Sequence, residues 1–155
     1  MSTITVSPTL QIHSGGTKFY EIIAFTNPIA RRYVEVRRWG PVAQMKSGGG
    51  QMKIIEHDSG PAMTDSAARQ FNAKQKGDYQ IDRSTTFGYI ASSKGGTWDS
   101  NALKKERHYT GPATREALFT KLALDATADV PIEARPARKP AVEENVDRGE
   151  AWGSW

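Results

Sequence analysis

Apolar and polar residues alternate along Arg31–Trp39, the period of a strand with one buried face. Val34 and Val36 fall on one side, and Arg31, Tyr33, Glu35, Arg37 and Trp39 on the other. Lys18–Phe25 precedes this strand. It is rich in aromatic and β-branched residues, which favour extended backbone, and Thr26-Asn27-Pro28 supplies the turn between the two. Gly40-Pro41 stops the second strand, Ser47–Gly50 reads as a loop, and Gln51–His57 completes an antiparallel meander. Ser59-Gly60-Pro61 introduces a helix, with Thr64 or Asp65 as the expected cap. Ala67, Ala68, Phe71 and Lys74 share one of its faces. Lys74 and Lys76 suit the negative end of its dipole, and Gly77 suits its termination.

Further along, Thr85–Ala91 and Arg107–Tyr109 read as short strands joined through the loop Gly95-Gly96-Thr97-Trp98. Gly111-Pro112 opens a second helix that turns Ala117, Leu118, Leu122 and Leu124 inward. The expected fold class is α+β: a small antiparallel β-sheet with one or two packed helices. Residues 1–17 are polar, end in Ser14-Gly15-Gly16, and read as a flexible arm with a short strand at most, at Thr9–His13. Residues 18–128 form the domain. From 129 to 155 prolines recur between charges and no apolar period survives, so this segment reads as a disordered tail.

At 155 residues the chain is long enough for one ordinary domain, and its 37% apolar content is below the usual share. Cysteine is absent, which excludes disulfides, thiolate metal sites and thiol nucleophiles and favours a reducing compartment. No membrane-spanning run and no secretory signal are read in the sequence, and the expected location is a bacterial or phage-infected host cytoplasm. The tail holds six acidic against four basic residues, net −2. The body therefore carries +6 of the chain's total of +4, a balance that favours polyanionic partners.

On the strand 31–39, two arginines and two aromatic rings alternate on the side away from the valines. If that side faces solvent, Arg31, Tyr33, Arg37 and Trp39 can pair with phosphates and stack on bases, each stacked base contributing about 1–3 kcal/mol. The competing reading packs Tyr33 or Trp39 against the helix. Lys104, Lys105, Arg107 and Tyr109 repeat the same mix, or form an ordinary lysine-protected edge. Lys74 and Lys76 are either helix-end charges or phosphate ligands, and Trp98 is either a stacking platform or a lid on the core. His13, His57 and His108 do not fall in metal-ligand spacing. Gly48-Gly49-Gly50 lacks the Lys-Ser/Thr of a P-loop, and His57-Asp58-Ser59 has triad residue types without triad geometry. No catalytic residue, metal or cofactor is expected.

The stretch 18–79 resembles the WGR domain, a module of DNA-damage-responsive poly(ADP-ribose) polymerases and of small bacterial proteins. The matching residues are Lys18-Phe19-Tyr20 opening a strand, Arg37-Arg38-Trp39-Gly40 ending the next, the strand at 51–56, the alanine-rich helix reaching Phe71, and Lys74-Gln75-Lys76-Gly77-Asp78-Tyr79. The resemblance implies a sheet-and-helix module whose tryptophan, Trp39, contacts DNA, with Arg37 and Arg38 as basic neighbours. Two positions depart from the pattern: Pro41 stands where the motif has arginine, and Asp78 interrupts the Lys-x-x-Gly-Tyr ending. The tail resembles in kind that of bacterial single-stranded-DNA-binding proteins, acidic and ending in Trp152 and Trp155. The overall make-up is similar to small phage proteins that coat single-stranded DNA and serve a viral RNA polymerase.

The expected function is therefore non-catalytic DNA binding with a preference for single strands or ends. A protein partner is expected at Trp152 and Trp155, and self-association along the strand is compatible with this reading. The alternative is a protein-interaction adaptor that binds no nucleic acid.

Overall fold

The computed structural model describes residues 2–45, 47, 49–82, 88–94, 96–98 and 112–129. Strands β1 (Thr3–His13), β2 (Lys18–Asn27), β3 (Arg32–Pro41) and β4 (Gln51–His57) lead into helix α1 (Gly60–Lys76). Strands β5 (Tyr79–Ile81) and β6 (Tyr89–Ser92) follow, then helices α2 (Pro112–Lys121) and α3 (Leu124–Thr127). The six strands form one sheet in the order β4-β3-β2-β1-β5, with β6 also on β1, and every pairing is antiparallel. The α+β class and the meander follow the sequence expectation, and the single-turn α3 is an addition to it.

The segment expected to be a flexible arm is instead an eleven-residue strand at the middle of the sheet. Its alternation is real: Ile4, Val6 and Leu10 are buried, with threonines and a serine between them. Pro8 and the small polar residues hid it. The proline is tolerated because of where its missing N–H would point. Leu10 O accepts from Asp82 N at 2.8 Å, so even-numbered residues of β1 turn their backbone groups toward β5 and β6. Pro8 falls between the stretches of β1 that pair with β6 and with β5, so neither described ladder needs its N–H.

The sheet buries both faces. On one, Ile4, Val6, Ile23, Phe25, Val34 and Val36 pack with Leu118, Leu122 and Leu124 of the α2–α3 pair. On the other, Tyr20 and Ile22 pack under Ala67 and Phe71 of α1. Each fully buried leucine or isoleucine contributes about 1.5–3 kcal/mol, so neither face can be left uncovered. Helix α1 starts one turn earlier than Thr64 or Asp65 would place it. Ser59 Oγ accepts from Ala62 N at 3.2 Å, and Pro61 occupies the first turn, where its missing N–H costs nothing. Thr64 is buried within the helix. Gly77 does cap its end, and the extra residue Asp78 takes the left-handed conformation (φ 70°) before β5 begins.

Candidate nucleic-acid interface

A strip of rings crosses four strands on the α1 face. Trp39 of β3 pairs in register with Tyr20 of β2, and their rings stack 5.7 Å apart at 14°. Tyr79 of β5 meets Tyr20 edge-on at 6.3 Å, and His13 of β1 meets Tyr79 at 5.2 Å. The last turn of α1 lays Lys74 Nζ over this strip, 4.6 Å from the Tyr20 ring and 5.4 Å from the Tyr79 ring. Lys74 makes no ion pair among the described residues, so an ammonium held over aromatic faces keeps its charge available to a phosphate. Gln70 Nε2 donates to Tyr20 Oη at 2.9 Å, and burial raises the Tyr20 phenol above its ordinary pKa, so the group is neutral. Tyr20 is the buried floor of the strip, while Trp39, Tyr79 and His13 are partly exposed.

The turn beyond Trp39 depends on close backbone approach. Gly50 has φ +90°, and a Cβ there would sit 2.5 Å from Trp39 O. Any side chain at position 50 would push the end of β3 away and tilt the indole. The glycine run that reads as a loop in the sequence is what lets β4 pass this close to Trp39.

Cations ring the strip. Antiparallel partners share a face, with Cβ atoms roughly 5 Å apart. Lys18 pairs with Pro41, and Lys53 with Arg37, so both lysines stand on the Trp39 side. Lys18, Lys53 and Lys76 are exposed. Lys18 thus places a charge beside the position where Pro41 replaces the arginine of the motif. The sequence reading missed Lys18, Lys53, Tyr20, Tyr79 and His13. Their signal is strand register, which becomes visible only once β1 and β5 are placed.

The other expected contacts divide. Trp39 and Lys74 are brought together through Tyr20 as above, and Lys76 is exposed in the last turn of the same helix. The odd side of β3 does not face open solvent, because α1 lies across it. Arg37 Nε is 2.7 Å from Glu35 Oε2 and its Nη2 donates to Ser66 Oγ at 2.9 Å, so its guanidinium is turned under the helix. Glu35, fully buried, also receives Ser66 Oγ and His57 Nε2, each at 2.8 Å. This cluster ties β3, β4 and α1 together, with His57 and Ser66 both spent on the carboxylate. Tyr33 is partly buried near the start of α1, where Gly60 approaches its ring. Arg38 is also corrected as a surface contact. It is 1% exposed, 3.4 Å from Glu21, donates to Met45 O at 2.6 Å and lies over the Phe19 ring at 5.1 Å. Burial lowers its pKa, and Glu21 opposes that shift. Arg31 lies at the far end of β3 from Trp39. Trp98 packs on the α2-side core and is a lid, not a platform. Lys104, Lys105, Arg107, Tyr109, Trp152 and Trp155 lie outside the described residues.

Among the described residues, no helix is long and apolar enough to cross a membrane, and no group of three or more His, Cys, Asp or Glu could hold a metal ion. No curated protein and no solved structure matches the chain. Residues 9–86, half of the chain, match the WGR domain family, and they span β1 to β5 with α1 and the whole aromatic strip. The chain belongs to the WGR domain family, a family of nucleic-acid-binding domains.

Proposed function

We propose that the protein is a non-catalytic DNA-binding protein that holds single strands or DNA ends on the strip formed by Trp39, Tyr79 and His13, with Lys18, Lys53, Lys74 and Lys76 pairing phosphates. The observation that carries this reading is the Trp39–Tyr20 stack with Lys74 over it. It presents a ring already fixed in orientation beside a cation that has no competing carboxylate among the described residues. A base stacking on a pre-oriented ring loses little entropy, and unpaired or terminal bases are the ones whose faces are free to stack. The non-catalytic part rests on the Glu35 cluster. Its serine donates to the carboxylate, not to the histidine, so no nucleophile–base pair is assembled. In the same reading, the acidic tail ending in Trp152 and Trp155 recruits a protein partner, since two tryptophans in so charged a segment are a poor choice for solubility alone.

Fluorescence anisotropy with labelled single- and double-stranded oligonucleotides of equal length tests the reading. Single strands and duplexes with frayed ends are expected to bind more tightly than blunt duplexes. The slope of log K against log salt should be about −2 to −3, the value for three or four neutralised phosphates on a single strand. Absence of binding at low salt would overturn the proposal and leave the protein-interaction adaptor in its place.

A further inference from the structure

At the end of β3 remote from Trp39 lies a polar pocket of about 240 Å³ that the DNA-binding strip does not use. Arg31, Arg32, Glu56, His57, Asp58 and Lys121 contribute to its lining. Lys121 is 3.0 Å from Glu56, and His57 is held by Glu35, so three of these side chains are engaged. Arg31 and Arg32 are exposed and make no ion pair among the described residues. Only Asp58 stands against two adjacent guanidinium groups.

The backbone that presents these arginines is fixed in an unfavourable form. Arg31 has φ 55°, left-handed for a residue with a Cβ. Asn27, fully buried, maintains it. Its Oδ1 accepts from Ile29 N at 3.2 Å and from Ala30 N at 3.4 Å, folding the turn. Its Nδ2 donates to Leu122 O at 2.7 Å and to Thr127 Oγ1 at 3.0 Å. One side chain thus bolts the β2–β3 turn to the α2–α3 junction beside Lys121. Strain held by surrounding bonds at a charged concavity is the mark of a pre-organised site.

We propose that this pocket is an oxyanion site that takes a phosphate group on Arg31 and Arg32, which both line it and whose forked donors fit phosphate oxygens. Resting on the DNA-binding reading, the phosphate belongs to the backbone of the strand held at Trp39. Arg32 and Trp39 are seven residues apart on one strand, or roughly 23 Å. That is about 7 nucleotides at the stacked rise of about 3.4 Å, and fewer in an extended strand. A dinucleotide can therefore reach one site but not both.

The test uses the full chain and the double variant Arg31→Gln/Arg32→Gln, with single-stranded oligonucleotides of about 2 and about 12 nucleotides. The variant is expected to match the wild type on the short one and to bind the long one about tenfold more weakly, with a salt slope shallower by about 0.7, one phosphate's worth. Titration with pyrophosphate, followed by the His57 and Asp58 amide resonances, separates the sources. If the long oligonucleotide binds both proteins equally but pyrophosphate shifts these resonances in the wild type alone, the site stands with free phosphate as its ligand. If neither effect is seen, the proposal is overturned. If the wild type binds no oligonucleotide at all, the DNA-binding reading fails by itself and the pyrophosphate titration still decides the pocket.

Discussion

A Trp39→Ala variant is expected to bind single-stranded DNA about 5- to 150-fold more weakly than the wild type, the equivalent of about 1–3 kcal/mol for one stacked base. The indole is held close to parallel with Tyr20 at 5.7 Å, so truncation removes both the stacking surface and its packing on Tyr20. The same change costs some stability, because an aromatic pair contributes about 0.5–1.5 kcal/mol beyond its buried area. Trp39→Phe keeps a ring in register with Tyr20 and should retain most of the affinity. Anisotropy at a temperature where circular dichroism shows both variants folded separates the two effects. A folded Trp39→Ala protein with wild-type affinity would remove Trp39 from the interface.

Arg38→Ala should do the opposite: unfold the protein more readily while leaving the interface intact where it still folds. Its guanidinium is buried beside Glu21, over Phe19 and against Met45 O. Removing one member of a buried ion pair typically costs about 3–5 kcal/mol, since the remaining charge loses its counterion without regaining water. For a domain of this size the thermal midpoint should fall by roughly 10–20 °C. Arg38→Met combined with Glu21→Gln removes both charges and should recover most of the loss. If Arg38→Ala kept its midpoint and lost DNA affinity, Arg38 would be a surface contact after all.

These two residues show what the sequence could and could not convey. Adjacent positions of a strand point to opposite faces, so Arg38 and Trp39 have opposite surroundings although they share a motif. Period-two alternation places Val34 and Val36 in the core correctly. It carries no information about what covers the other face, and the odd side of β3 was expected in solvent until α1 is laid over it. A buried arginine is also foreign to composition-based reading, because arginine is almost never fully buried unless paired, and its partner Glu21 lies on another strand.

The aromatic strip was half legible. Trp39 and Lys74 stand out by type and by their resemblance to the WGR pattern. Tyr20 and Tyr79 read as ordinary strand residues until the order β3-β2-β1-β5 sets them side by side. That order depends on β1, whose Ile4, Val6 and Leu10 alternate plainly but are obscured by Pro8 and by the polar residues between them. Lys18 is likewise unremarkable in sequence and becomes informative only through its register with Pro41.

Amide and indole chemical-shift mapping during titration with a single-stranded oligonucleotide of about 2 nucleotides, too short to span β3, tests the placement of the interface most directly. The expected shifts concentrate at His13, Lys18, the Trp39 indole, Lys53 and Lys74–Tyr79. A Trp39 indole that stays unmoved while residues on the α2 side such as Tyr89 and Phe119 shift would contradict it.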